Sequence, residues 1–305
     1  MRPALKSGLL PIWRDRDTVQ IGIDPRRAVA LTGMAGAARV IGLLDGSRDR
    51  AQLVEAAAEC GIPAPLTDKI LTLLAAAGVL DDFPAGTLRA LGQPVPAGLA
   101  AQLATVSLAR RDSDGGARSL ARRRAALVRV HGGGPVGAAI AGLLSAAGVG
   151  RVSAGPGPAG DLLPDLALIA GQPGPELTAA LMRAGTPHLS AAAAEAIGAV
   201  GPLVLPGRTA CLGCLHQART DRDPAWPVIA AQLAGREPVP AACDAPLAAA
   251  VAAQASFQAL AFIDGAGIPA AVTNATLELV LPGWQWRRRT WPPHPACDCG
   301  SDRAR

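Results

Sequence analysis

The chain is 305 residues long, the size of about two domains, and 50% of it is apolar, so a sizeable core is available. Aromatics are only 3% and Tyr is absent, so Ala and aliphatic side chains must do the packing; 35 Gly and 27 Pro alternate with helical stretches, which excludes wholesale disorder. The net charge of +5 is mild, and the clusters Arg122, Arg123, Arg124 and Arg287, Arg288, Arg289 are separated by a folded stretch, which argues for caps or flanks of elements against a nucleic-acid groove.

The mean hydropathy is positive, yet the longest apolar stretch, 245–263, is Ala-rich and broken by Gln254, Ser256 and Gln258. It is expected to fall short of a ~20-residue membrane span, and the N-terminal residues lack an apolar signal region. A cytoplasmic protein with no membrane and no nucleic-acid partner is expected. The six cysteines then read as thiols or metal ligands before disulfides.

From the N-terminus, 10–13, 19–23 and 28–31 read as short strands. Val19, Ile21 and Ile23 alternate with Gln20, Gly22 and Asp24, and Asp24-Pro25-Arg26-Arg27 is a turn. Three helices follow. The first, 34–44, stripes Met34, Ala38, Ile41 and Leu44. The second starts at Asp49 with Gln52 as a capping box and ends at Cys60-Gly61. The third, 65–77, is expected to bury Leu66, Ile70, Leu73 and Leu74. This is a winged-helix-like module. Its third helix offers a polyanion only Lys69, beside Asp68, so an extended peptide added to a short edge strand suits it better than DNA.

Pro and Gly breaks place a domain boundary in 83–96, with a short helix at 97–108. The expected organisation is a recognition module over 1–84, a linker and helix over 85–125, and a Rossmann-like α/β domain with a doubly wound sheet over 126–305. In that domain strand 126–130 runs into Gly132-Gly133-Gly134-Pro135-Val136-Gly137 and helix 135–147, which is Gly-x-Gly-x-x-Gly in its proper strand–helix context. Strands 151–154, 166–170 and 187–190, helices 174–184, 224–235 and 244–264, and a strand pair in 271–290 complete the pattern.

The acidic residue expected about 20 residues after the turn is missing. The stretch Gly155–Pro164 holds no Arg, Lys or Asn, and Asp161 and Asp165 are the only acids near it. Asp165, at the lip of a strand, reads as a solvated cap. Backbone amides alone can bind a triphosphate but not activate it. Gly132, Gly134 and Gly137 therefore read as a fold-building turn with a vestigial cofactor role. ATP is not expected as a cofactor, and no catalytic residue is assigned.

Cys211-Leu212-Gly213-Cys214 and Cys297-Asp298-Cys299 are two close pairs far apart in sequence. Four thiolates suit a closed, structural zinc site that staples a loop to a tail. Two disulfides or free thiols are the competing readings, and His216 and His294 are substitute ligands. Cys60 and Cys243 read as a small apolar core residue and an unpaired thiol.

Two resemblances now become specific. Trp13-Arg14, Val19-Gln20-Ile21-Gly22-Ile23-Asp24-Pro25, Leu44-Asp45-Gly46 and Ala77-Gly78-Val79-Leu80 resemble the PqqD-like recognition element of peptide-natural-product clusters. That resemblance implies a leader-peptide groove lined by Ala28, Val29, Ala30 and Leu31 on the strand and Lys69, Ile70, Thr72 and Leu73 on the helix. Gly201 through Cys214, the closing His294-Pro295-Ala296-Cys297-Asp298-Cys299, and Arg219-Thr220-Asp221-Arg222-Asp223-Pro224-Ala225-Trp226-Pro227 resemble ThiF-like, ubiquitin-activating-type proteins of azole- and azoline-forming clusters. Together they imply a non-catalytic partner that binds the leader of a ribosomal precursor and presents it to a YcaO-type cyclodehydratase, with a homodimer as a further candidate assembly. The alternatives are an active ThiF-type adenylating enzyme, a nicotinamide-dependent oxidoreductase and a winged-helix DNA binder.

Overall fold

The computed structural model describes residues 1–34, 36–82, 97–110, 112–155, 163–172, 174–233, 242–265 and 267–300. The chain divides into two compact units, Met1–Leu120 and Ala121–Arg305. The boundary expected in 83–96 lies outside the described residues, as does Asp161.

In the first unit β1 (Pro3–Leu5) pairs antiparallel with β5 (Leu80–Asp82), a pairing that sequence periodicity did not signal. β2 (Pro11–Trp13), β3 (Thr18–Ile21) and β4 (Val29–Thr32) form a three-stranded antiparallel sheet in that order, so β4 is an edge. α1 (Ala37–Gly42), α2 (Arg50–Glu59) and α3 (Ala64–Ala76) close a core around Val19, Ile21, Leu31, Val40, Leu53, Ile70 and Leu74. The capping box is present: Gln52 N–H donates to Asp49 and Asp49 N–H to Gln52, each at 3.0 Å. On α3 the buried stripe is Thr67, Ile70, Leu71 and Leu74. These positions keep a spacing of three and four residues, which turns Leu66 to a half-buried flank and leaves Leu73 39% exposed, contrary to expectation.

α4 (Ala97–Arg110), expected in the linker, belongs to the first unit. It brings Ser107 to a buried ion pair: Lys6 Nζ lies 3.0 Å from Asp81 and donates to the Ser107 hydroxyl and carbonyl at 2.8 Å, and to the Asp112 carbonyl. The Ser107 hydroxyl donates in turn to Asp81 at 2.8 Å. α5 (Ala117–Ala125) runs across the division between the units.

The second unit is built on one seven-stranded sheet ordered β12-β11-β10-β9-β8-β6-β7. Its elements are β6 (Leu127–His131), α6 (Gly134–Ala146), β7 (Arg151–Ala154), β8 (Leu166–Ala170), α7 (Pro175–Arg183), β9 (His188–Ala194), β10 (Ile197–Val204), α8 (Leu212–Thr220), α9 (Trp226–Leu233), α10 (Ala245–Ile263), β11 (Ala275–Val280) and β12 (Trp286–Thr290). β7, β6, β8 and β9 are parallel, with helix α6 between β6 and β7 and α7 between β8 and β9. From β9 onward the sheet is antiparallel, which corrects the doubly wound expectation. The cause is local. Glu195 and Ala196 both take positive φ (53° and 59°) and form a two-residue hairpin link, too short for a parallel crossover.

α6 and α10 cover one face of the sheet with an aliphatic and Ala core, and Leu181 of α7 packs on Ala167 and Ile169 of the other. By length and composition α10 does reach what a membrane crossing requires, against the sequence expectation. Here it buries Leu247, Val251, Ala255 and Ala259 in the core. Its C-terminus is tied down by Arg123, whose Nε and Nη2 donate to the two oxygens of Asp264 at 2.7 Å each, with Nη1 on the Ala147 carbonyl.

Two outcomes follow from these buried groups. Asp81→Ala strips Lys6 of its counter-charge in a dry site and should cost about 3–5 kcal/mol in urea unfolding, with loss smaller than 1 kcal/mol contradicting the assignment. His188 donates from Nδ1 to the Thr186 carbonyl at 2.9 Å, while its Nε2 has no partner among the described residues. Burial lowers its pKa below 6.5, so the unfolded chain takes up a proton the folded chain refuses. Stability should therefore fall as pH drops below about 6.5, and the slope over that window should shrink in His188→Asn.

Candidate functional site

The glycine turn sits where β6 meets α6. Gly132 has φ +92°, and a Cβ there would lie 2.0 Å from the Ala170 carbonyl oxygen at the end of β8. A Cβ at Gly137 would meet the Gly132 carbonyl at 2.9 Å and Ala170 Cβ at 3.2 Å. Gly134 has φ +74° with nothing within 4 Å of its Cβ position. Glycine is thus required at the first and third positions by backbone packing and at the second by conformation. His131, just before the turn, has its pKa lowered by burial and then by Arg129. Asp165 is far from this turn: its carboxylate accepts the Leu127 N–H at 2.8 Å, at the opposite end of β6, about 13 Å of strand away.

The four cysteines converge. Cys211 caps the N-terminus of α8 and Cys214 lies in its first turn. The Thr209 hydroxyl accepts from Leu205 N–H and donates to the Leu203 carbonyl, and Asn274 accepts from Ala210 N–H at 2.8 Å, which holds the loop ahead of Cys211. The tail supplies Cys297 and Cys299. All four sulfurs lie within 4.8 Å of one another, with Cys211–Cys214 at 3.9 Å, Cys211–Cys297 at 3.6 Å and Cys214–Cys299 at 3.5 Å. These separations are far beyond a disulfide bond of ~2.05 Å. They match the ~3.8 Å edge of a sulfur tetrahedron around a zinc ion with ~2.3 Å bonds. Gly213 is part of the fit, since a Cβ there would stand 3.2 Å from Cys297 Sγ and 3.3 Å from Cys211 Sγ. In the thiol state Cys214 is held down to about 4 by the hydrogen bond from Cys211, whose own pKa rises in consequence.

Both substitute ligands are committed elsewhere. His294 Nε2 lies 2.8 Å from Asp221 and its Nδ1 accepts from Ala296 N–H, so it shapes the tail. His216 Nδ1 accepts from Trp226 Nε1 at 3.2 Å. Cys60, expected in the core, is exposed at the end of α2, and Cys243 is half-buried; neither joins the cluster.

Of the residues expected to line a peptide groove, Leu31 (3% exposed) and Ile70 (0%) are core. Ala30, Lys69, Thr72 and Leu73 are exposed, and Ala28 and Val29 half-buried. Leu31 of β4 and Ile70 of α3 belong to the same core.

A further grouping escaped the sequence. Trp291, 1% exposed, donates from Nε1 to Thr276 at 2.9 Å. The guanidinium carbons of Arg289, Arg222 and Arg219 lie 4.5, 5.4 and 5.7 Å from its ring centroid, and Arg219 lies 4.8 Å from that of Trp226. The available signal was two arginine-bearing segments each followed by a Trp, but nothing in their spacing brings them together.

No family model matches the chain, and no curated protein matches it by sequence. Solved structures do share its fold. E. coli MccB, a microcin C7 biosynthetic enzyme solved with AMPCPP and MccA, has a TM-score of 0.68 at 14% identity, over 99% of this chain and 100% of that one. A heterocyclase in complex with substrate and cofactor has a TM-score of 0.71 at 18% identity, and the heterocyclase TruD 0.71 at 17%. This chain spans 40% and 43% of those two longer proteins. At these identities the likeness is one of fold: the chain shares the mixed α/β fold of MccB, with the Rossmann-like sheet in its second unit.

Proposed function

We propose that the chain is a cytoplasmic ThiF-like partner protein that binds the leader of a ribosomally made precursor peptide and presents it to a YcaO-type cyclodehydratase for azoline or azole formation. In this reading the first unit is a winged-helix-like, PqqD-type recognition element. A leader segment adds a strand to the β4 edge and sets apolar side chains against Leu73, with Lys69 and Thr72 beside it. Holding the leader raises the local concentration of the core peptide at the partner's active site. The observation that carries the reading is the β4 edge, which pairs with no further strand among the described residues, with Leu31 of β4 and Ile70 of α3 anchored in one core. Likeness in fold to MccB, a protein solved with MccA, and to a substrate-bound heterocyclase supports it.

A labelled leader peptide encoded beside the gene should bind with a micromolar Kd by fluorescence anisotropy. Leu73→Glu should weaken it roughly tenfold or more, the scale of one buried Leu contact. Absence of binding at tens of micromolar overturns the proposal. The same preparation decides the adenylating alternative: no ATP–pyrophosphate exchange is expected, and exchange dependent on precursor would establish an enzyme.

The proposal includes a structural zinc ion on Cys211, Cys214, Cys297 and Cys299, supported by the sulfur spacing and by Gly213. Elemental analysis should find one zinc per chain. Cys214→Ser should lose it and lower Tm on the order of 10 °C. A metal-free chain of undiminished stability contradicts the zinc assignment while leaving leader binding to its own test.

A further inference from the structure

The second unit carries a cationic surface that the proposed function does not use. β12 is the last strand of the sheet, and no further strand pairs with its outer side among the described residues. Its residues after Trp286 are exposed. Antiparallel register sets Arg289 opposite Thr276 and Arg287 opposite Glu278, so these four share one face, with the two arginines about 7 Å apart along the strand. The Trp291 ring gathers Arg289, Arg222 and Arg219 beside that face.

The charges are not balanced locally. Among the described residues the carboxylate paired with them is Glu278, 3.8 Å from Arg289 and shared with the Thr276 hydroxyl. Asp221 and Asp223, which flank Arg222 in sequence, are oriented by His294 and by the Ala225 N–H respectively. Desolvation and the charge of Arg289 lower the pKa of Arg219, with Glu278 opposing. Arginines on an edge strand are an ordinary guard against unwanted pairing. A guard, however, works as a mobile solvated charge. These guanidiniums are held on an aromatic ring in spite of mutual repulsion, an arrangement that fixes their position.

We propose that the β12 edge, with Arg287, Arg289 and the Trp291-held Arg222, is a docking site for an acidic, extended peptide segment that adds as an eighth strand and places carboxylates at alternate positions on these arginines. An extended peptide is favoured over a polyphosphate or a nucleic acid because only a peptide backbone pairs with both the N–H and C=O groups of an open strand edge. The inference rests on the second unit alone and stands or falls independently of the β4 groove.

The test uses the full chain and a fluorescein-labelled nine-residue peptide with Glu at alternate positions between Thr residues, blocked at both ends. A peptide of the same composition with its Glu residues in one block, a single-stranded oligonucleotide and tripolyphosphate serve as comparisons. The alternating peptide should bind at least fivefold tighter than the blocked one. Binding should weaken tenfold or more in Arg287→Gln/Arg289→Gln and at least threefold in Arg222→Gln, which lies outside the sheet. Amide hydrogen exchange over 286–290 should slow when the alternating peptide is bound. Undiminished binding in both variants overturns the proposal. So does unchanged exchange over 286–290 with peptide bound, equal affinity for the two peptides, or displacement of the peptide by tripolyphosphate or the oligonucleotide at equal charge, any of which leaves a general anion patch.

Discussion

Four cysteine sulfurs within 4.8 Å of one another draw the last described segment of the chain back onto the start of α8. Much of the second unit's surface depends on that closure. The tail that ends in Cys297 and Cys299 begins at Trp291, directly after β12, and Trp291 is the ring on which Arg219 and Arg222 from the α8 side meet Arg289 from β12. His294, in the middle of the tail, reaches Asp221 at the end of α8. The sulfur cluster and the Trp291 cluster are thus two fastenings of the same pair of segments. One is a cluster of four sulfurs and the other a set of aromatic and charge contacts.

Buried charge plays a comparable part within each unit. Lys6, Asp81 and Ser107 join β1, β5 and α4 in the first, and Arg123 and Asp264 join α5 to the end of α10 in the second. Such pairs contribute little net stability over a well-packed apolar substitute, but breaking one partner is expensive. Their effect is on register. A helix that must deliver one hydroxyl or one carboxylate to a fixed point cannot slide along an Ala-rich surface. In a chain with 3% aromatics, whose cores are small and smooth side chains, that restriction has more to do than it would in a core keyed by large rings.

The parts of the fold legible in the sequence were those where one local signal dominated. The Asp49–Gln52 box, the alternation through Val19 and Ile21, the glycine turn and the two cysteine pairs each state their geometry within a few residues. The start of β9 was legible as strand 187–190, but its extension to Ala194 and the whole of β10 were not, because Ala191 to Ala194 favour helix by intrinsic propensity, while the sheet beside them and a hairpin link at Glu195-Ala196 impose strand. On α3 the apolar residues outnumber the places in the core, so the sequence could not say that Leu71 turns inward and Leu73 outward. The Trp291 cluster needs three segments brought together by the tail closure, and no local pattern announces that. The sulfur cluster itself was legible because two close cysteine pairs together suit one four-thiolate site, however distant they are in sequence.

The glycine turn shows why a motif of this kind can outlast or precede a ligand. Gly132 is demanded by the Ala170 carbonyl, which no side chain could approach so closely, and Gly137 by the turn it packs upon. Gly134 is demanded by its own φ. Each glycine therefore has a reason that refers only to the strand, the turn and the helix. A nucleotide, where one is bound, makes use of amides this packing has already aimed. Selection on folding alone retains the pattern, so Gly-x-Gly-x-x-Gly in its strand–helix context is strong information about architecture. Chemistry has to be read from side chains that have no architectural reason to be where they are. By that criterion Asp165, occupied with the Leu127 N–H at the far end of β6, speaks for the fold. The exposed Leu73, which the packing of the first unit leaves outside its core, has no such reason, and the proposed leader contact rests on it.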